Sequence, residues 1–370
     1  MPPPHRADHV GSLLRPAAVA DARRRHAAGE LSDDALKAVE DAAIRDVVQM
    51  QQDVGLKVAT DGEMRRSFWH YDFMAGLDGL VFVEREADAG IKFKGANTRP
   101  IVPTITGPID FPADHPMLDH FGFLASVADV TPKISIPGPS VSHFRVARED
   151  IFHAPYREDA EAMFADLTAT YRKAVAAFHA AGCRYLQMDD IYFAYLCDPK
   201  IRAEKMAAGL DPDWLIDRYA QMMREAIEGR PDDMLIAMHM CRGNFRSTWI
   251  AEGAYDPAAD AIFNKTGVDL FFMEYDTERA GGLAPLRLLA KGRQRVYPGF
   301  ITTKTGELET LDDLKRKLDE AARHADLDQL GIAPQCGFAS TEEGNAIDVD
   351  HQRRKLALVV ETAEAVWASA

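Results

Sequence analysis

Eight short apolar runs, each stopping at polar and often reactive residues, constrain this chain more than any other feature. They lie at residues 7–11, 56–61, 133–138, 183–189, 234–239, 268–274, 295–301 and 330–335. From residue 183 onward the runs are almost unbroken rather than alternating, as expected of parallel strands covered on both faces. Helical patterns separate them. Ser32 followed by Asp33 and Asp34 opens a long helix to residue 54, because serine caps free N–H groups and acids suit a helix N-terminus. A second helix spans 158–181 and stops at Gly182, and a third opens at Asp211-Pro212 and closes near Gly229. A fourth runs from Thr310 to about residue 324, and a last covers 350–367. This alternation predicts an α/β fold, a (β/α)8 TIM barrel. A doubly wound open sheet uses the same alternation and stays open as the alternative.

The rhythm breaks between residues 76 and 130. Extended pieces at 80–84, 91–93 and 101–106 sit among Pro- and Gly-rich turns, which predicts an insertion after the second strand, a β-hairpin arm plus one helix. No repeat or low-complexity linker divides the rest. The expectation is therefore one catalytic domain, 1–370, with 76–130 inserted in it. A chain of 370 residues that is 47% hydrophobic can build its core without staples. A net charge of −15 with no basic run argues against nucleic acid and anionic lipid as partners. No stretch is apolar enough for a membrane span or a signal peptide. Four cysteines are too sparse for a disulfide framework, so the expected compartment is the reducing cytoplasm, where clustered Cys and His act as ligands or reactive groups.

In a barrel, reactive side chains gather where the strands end. The second run ends in Asp61-Gly62-Glu63, the fourth in Asp189-Asp190, and the fifth in His239-Met240-Cys241. The sixth ends in Glu274-Tyr275-Asp276 and the eighth in Gln335-Cys336-Gly337. His239 and Cys241 are two apart and so project from one face of a strand. Glu274 and Cys336 converge on the same mouth from later strands. One imidazole, two thiolates and one carboxylate form a donor set suited to Zn2+. Each residue also has an ordinary explanation. Buried cysteines are commonly packing residues, as read here for Cys183 and Cys197. Asp61, Glu63, Asp189 and Asp190 sit where acids cap helices. Adjacent Asp189 and Asp190 cannot both face inward, so one is expected to face the site and the other the helix layer. Arg15, Arg242, Arg246 and Lys304 lie near strand ends and are candidates to hold a substrate carboxylate, although most such residues are solvated surface.

Three segments, MHMCRGNFRSTW (238–249), FFMEYD (271–276) and APQCGFASTEEGN (333–345), with RADHVGSLLRP (6–16), make the chain resemble the cobalamin-independent methionine synthase family. The match is to a short form containing only the catalytic C-terminal barrel. The resemblance implies a zinc-dependent methyltransferase that moves a methyl group to the thiol of homocysteine to form methionine. It implies zinc on His239, Cys241, Glu274 and Cys336. It also implies that Ser12, Glu63 and Asp189, with Asp190 beside it, hold the amino-acid part of homocysteine, Glu63 and Asp189 pairing with its ammonium. Two family features are missing. No histidine occurs in YPGFITTKTGE (297–307) after the seventh strand, and no tryptophan occurs in PGPSVSHFR (137–145) after the third. These departures leave the zinc–thiol half of the reaction intact and leave the methyl donor, folate or another, open. Related alternatives are an alkyltransferase using coenzyme M with an epoxide, or homocysteine with methylcobalamin or a small methylated donor. A zinc hydrolase is a rival of another class, disfavoured because two thiolates weaken zinc as a Lewis acid for water; a barrel without catalytic metal is a third. The expected partners are a small thiol and a methyl donor, and a homo-oligomer is compatible with this composition.

Overall fold

The computed structural model describes residues 5–86 and 90–367. Its centre is a ring of parallel strands. Ile134–Pro137, Tyr185–Asp189, Leu235–Met240, Leu270–Glu274, Arg295–Ile301 and Ala333–Pro334 pair in sequence order as one six-stranded sheet. Val58–Ala59 pairs in parallel with Thr131–Pro132, just before the first of these strands. The N-terminal segment closes the ring. Ala7 bridges Ile332 in parallel, Asp8 N–H donates to Ile332 O at 3.2 Å, and Ile332 N–H donates to Arg6 O at 2.8 Å. On its other side, Leu13 N–H donates to Gly62 O at 3.0 Å and the Thr60 hydroxyl donates to Gly11 O at 2.7 Å. The chain is thus a closed barrel, not an open doubly wound sheet, and all eight predicted runs contribute to its wall.

Strand periodicity explains how the barrel is filled. Side chains two apart face the same way. Tyr185, Leu235, Ala237, Leu270, Phe272, Tyr297 and Ala333 form an inner apolar cluster with Val58. The intervening Leu186, Met188, Ile236, Met238, Phe271 and Met273 join the larger core beneath the helices. The inner layer also holds a buried ion pair, in which Lys133 Nζ donates to Asp8 Oδ1 at 2.8 Å and lies 4.6 Å from the Phe272 ring centre. The Tyr185 hydroxyl donates to Asp8 Oδ2 at 2.6 Å, so the carboxylate is bonded on both oxygens. Following the same inward rows toward the strand ends leads from Leu235 and Ala237 to His239 and Cys241. It leads likewise from Tyr185 and Gln187 to Asp189, and from Leu270 and Phe272 to Glu274.

The helices form where capping and apolar spacing predict them. Asp33–Asp53 begins with the Ser32 hydroxyl accepting from Ala35 N–H at 3.3 Å, and Pro212–Ile227 begins with Asp211 accepting from Asp213 N–H at 2.9 Å. Thr310 caps Leu311–Ala321, and Val349–Trp367 closes the described chain. The predicted 158–181 helix is interrupted at its start. Asp159 leaves helical geometry and caps Ala160–Ala180, while a separate short helix, Ala154–Glu158, precedes it. Between the fifth and sixth, and the sixth and seventh, strands the wall carries only a π-helical turn, Ala261–Lys265, and 3₁₀ turns, Glu278–Ala280 and Ala284–Leu288.

After the second strand, Asp78–Glu84 pairs antiparallel with Ile101–Asp110, and Lys92–Phe93 pairs with Ala96–Asn97 in a small hairpin between them. Helix Pro116–Val127 follows. Phe93 from the hairpin packs against Phe245, ring centres 5.2 Å apart, which lays the hairpin over the strand ends. Among the described residues, no helix is long and apolar enough to cross a membrane.

Candidate active site

His239 and Cys241 project into the barrel mouth from the end of the fifth strand, as their spacing requires. Cys336 follows the eighth strand, and its sulfur lies 3.6 Å from that of Cys241. Both thiols are free and buried. Donor atoms of His239, Cys241 and Cys336 all lie within 4.8 Å of one another, the arrangement required of ligands to one metal ion. Two sulfurs on a tetrahedral zinc, with bonds of about 2.3 Å, would be separated by roughly 3.8 Å. A disulfide would bring them to about 2.0 Å. The buried His239 ring meets no polar partner except the Cys336 sulfur, an environment that a metal bond would complete. These observations fit a metal ion. The hydrogen bond with Cys241, then the nearby His239 and Lys304, hold the Cys336 thiol well below its ordinary range. The same hydrogen bond, then burial, pushes Cys241 up.

Glu274 ends the sixth strand beside this cluster, but its carboxylate is engaged elsewhere. Oε1 accepts from Arg279 Nη2 at 2.6 Å, and Oε2 accepts from Arg242 N–H at 2.9 Å. Burial alone would raise its pKa, but Lys304, Arg242 and Arg279 outweigh it and hold the group as a carboxylate. The structure therefore brings together three of the four predicted ligands and keeps the fourth on an arginine.

His239, Cys241 and Cys336 line one cavity together. Ser12, Glu63 and Asp189 also line it. The DGE turn explains how Glu63 arrives there. Asp61 Oδ1 accepts from Glu63 N–H at 2.9 Å, and Glu63 adopts φ of +60°, a left-handed conformation unusual outside glycine. Glu63 Oε1 accepts from the Ser135 hydroxyl at 2.9 Å and lies 3.5 Å from Arg66, whereas Oε2 has no partner. Burial, reinforced by Asp189 and opposed by Arg66, raises the Glu63 carboxyl to about 7. Asp189 accepts from Gln187 Nε2 at 2.8 Å and is raised by burial to about 6. Glu63 Oε2 therefore stays free to accept a hydrogen bond, with Asp189 nearby. Ser12 occupies its place because Gly337 follows Cys336; a Cβ at Gly337 would overlap the Ser12 hydroxyl.

Asp190 faces away from the cavity. It accepts from the Ser140 hydroxyl and packs against Gly138, whose missing Cβ makes room for it. The basic residues singled out in the sequence are placed elsewhere. Arg15 donates to the carbonyls of Ala339, Thr341, Glu63 and Arg66. Arg242 donates to Gly253 and Ala280 carbonyls, and Lys304 to Gly243 O and Asn244 Oδ1. Arg15, Arg242, Arg246 and Lys304 are not among the cavity-lining residues. Cys183 and Cys197 are core residues that burial holds at about 12. Sequence reasoning missed one wall of the cavity, made by Trp69, His70, Arg145, Tyr192 and Tyr195. The aromatic run Phe68-Trp69-His70-Tyr71 directly after the DGE turn was the available signal.

Comparison with known proteins agrees with this geometry. The family described as cobalamin-independent synthase, catalytic domain, matches residues 7–364. The chain belongs to this family. It is 45% identical over 366 residues to the uncharacterized protein YxjG of Bacillus subtilis (strain 168), covering 99% of this chain and 95% of that one. A Listeria monocytogenes structure that carries the name vitamin-B12 independent methionine synthase superposes with a TM-score of 0.79 at 39% identity, covering 98% of each chain. The 5-methyltetrahydropteroyltriglutamate–homocysteine methyltransferase of Aeromonas salmonicida (strain A449) is 26% identical over 340 residues, 89% of this chain but 40% of that longer protein.

Proposed function

We propose that this chain is a zinc-dependent methyltransferase that methylates the thiol of homocysteine to form methionine, acting as a single catalytic domain with residues 76–130 inserted. The observation that carries the reading is the meeting of His239, Cys241 and Cys336 in one cavity whose other lining acids suit an ammonium group. The family and the homocysteine methyltransferase of Aeromonas salmonicida support it.

Zinc bound by His239, Cys241 and Cys336 supplies a Lewis-acidic centre that favours the thiolate over the thiol. Glu274, which ends the sixth strand and is held by Arg279, would be the fourth ligand. Glu63 Oε2 and Asp189 accept the substrate ammonium, and Ser12 narrows the pocket beside them. These contacts orient the acceptor sulfur toward a methyl carbon, and the aromatic wall keeps bulk water away from the reacting atoms. The wall formed by Trp69, Tyr192 and Tyr195 gives the methyl donor a flat apolar surface, though the family histidine of the seventh strand is absent.

The experiment is methionine formation from homocysteine with a panel of donors: methyltetrahydrofolates of different tail lengths, methylcobalamin and small methylated compounds. The reading predicts methionine with at least one donor, abolished by a zinc chelator and restored by zinc. Product formation unaffected by complete zinc removal, or alkylation of another thiol such as coenzyme M in preference to homocysteine, would overturn it.

A further inference from the structure

Arg145 is the one lysine or arginine among the described residues lining the cavity. It ends the short helix Ser140–Arg145, in the stretch where the family tryptophan is missing. It hydrogen-bonds the Tyr71 hydroxyl, its other ionisable neighbours include the phenols of Tyr192 and Tyr195 and the Lys205 ammonium, and its Nε makes no hydrogen bond. Beside it stands His70, buried at 1% exposure with both ring nitrogens unpartnered. His70 is fixed by rings on both sides, its centre 4.3 Å from that of Trp69 and 4.4 Å from that of Tyr71. The backbone is fixed too, since Trp69 N–H donates to Ser340 O at 2.9 Å. Burial, then the Arg145 charge, keeps His70 well below its ordinary pKa, so it offers one N–H and one lone pair.

A guanidinium set in an aromatic wall without a counter-charge is an expensive arrangement, as is an imidazole with no partner. Both groups face the same cavity, which the acids Glu63 and Asp189 make cation-binding elsewhere. We propose that Arg145 and His70 form the anion-binding corner of the cavity and receive a carboxylate of a substrate, Arg145 as the charge partner and His70 as the adjacent hydrogen-bond donor. The inference rests on the reading of this cavity as the substrate chamber. The carboxylate has two sources of the same chemistry, the amino acid itself or the acidic tail of the methyl donor. Either way, Arg145 and His70 set specificity from segments outside the three sequence motifs.

The test is calorimetric binding to the purified, zinc-loaded chain. The probes are homocysteine, its carboxylate-free counterpart 3-aminopropane-1-thiol, tetrahydrofolate, and a pterin lacking the glutamate tail. Arg145→Met is expected to weaken one of the two carboxylate ligands by about tenfold or more, the scale of a charge-assisted hydrogen bond. The matching carboxylate-free probe should change by less than about twofold. Arg145→Lys should recover part of the loss, and His70→Phe should weaken the same ligand, with zinc content unchanged in all three. The affected ligand identifies the source. Equal loss for acid and acid-free probes, no loss for either acid, or no binding of either acid to the unaltered chain would overturn the proposal. Carboxylate-dependent binding without methionine formation would uphold this corner and remove the methyltransferase reading instead.

Discussion

At the residue scale, the chemistry depends on which side chains the cavity leaves without partners. Glu63 is the clearest case. Its native carboxyl, raised to about 7, lies above the ordinary value of 4.5, so the native state binds the proton more tightly than the unfolded chain does. Its contribution to stability therefore falls as pH rises from about 4.5 through about 7. Substrate binding has the opposite preference, since an ammonium pairs with the carboxylate. The KM for homocysteine should rise as pH falls below about 7, approaching tenfold per pH unit. Glu63→Gln should flatten that profile and raise KM by roughly tenfold or more, while zinc content stays unchanged. A KM independent of pH between 5.5 and 8 in the unaltered enzyme, the range of about one and a half units below the Glu63 value and one above, would contradict this role. The meeting of His239, Cys241 and Cys336 was legible from spacing and strand ends, because side-chain parity on a strand is fixed by covalent geometry. The state of Glu274 was not. Its partner Arg279 sits in a 3₁₀ turn five residues on, and only folding shows that its guanidinium reaches back to the carboxylate.

At the element scale, loops rather than strands decide the site's dimensions. Gly337 is the tightest constraint, because the Ser12 hydroxyl occupies the volume that a Cβ would take. Thr303 Oγ1 and Asn244 Nδ2 both donate to its carbonyl, at 3.0 and 2.8 Å, so the turn has little freedom to move aside. Gly337→Ala is expected to raise the homocysteine KM by about tenfold or more through displacement of Ser12, with the circular dichroism spectrum retained. Helix caps away from the site should change stability without changing kinetics. Asp211→Ala, which removes the acceptor for Asp213 N–H, should lower stability by about 1 kcal/mol in denaturant titration and leave KM unaltered. The caps at Ser32, Asp211 and Thr310 were readable because a cap is a local event. The break at Asp159 was also local, but the run from residue 158 masked it: an Asp within a helical pattern gains its cap only once the preceding turn has separated. The aromatic wall escaped notice because it is assembled from segments far apart in sequence, Trp69 and His70 after the second strand and Tyr192 and Tyr195 after the fourth.

At the scale of the whole molecule, barrel closure joins a buried ionic layer below to the His239–Cys241–Cys336 cluster above. The eight runs predicted the strands, but periodicity carries no information on closure. That came from the N-terminal segment, whose Ala7 meets Ile332 and whose Asp8 reaches Lys133 across the interior. Lys133→Met should cost about 3–5 kcal/mol in unfolding free energy, because it leaves Asp8 buried with its charge opposed only by hydrogen bonds. A change below about 1 kcal/mol would mean that the interior ion pair does not help hold the closed ring. The proposal stands or falls at the upper end, where one imidazole and two thiols from two strand ends would share a single metal ion. The measurement that tests it most directly is metal content by mass spectrometry on the purified chain, for the unaltered protein and for Cys241→Ser prepared in parallel. The account predicts about one zinc per chain in the first and a large loss in the second, with methionine formation falling in step. Zinc absent from an active unaltered protein, or retained in full by Cys241→Ser, would contradict it.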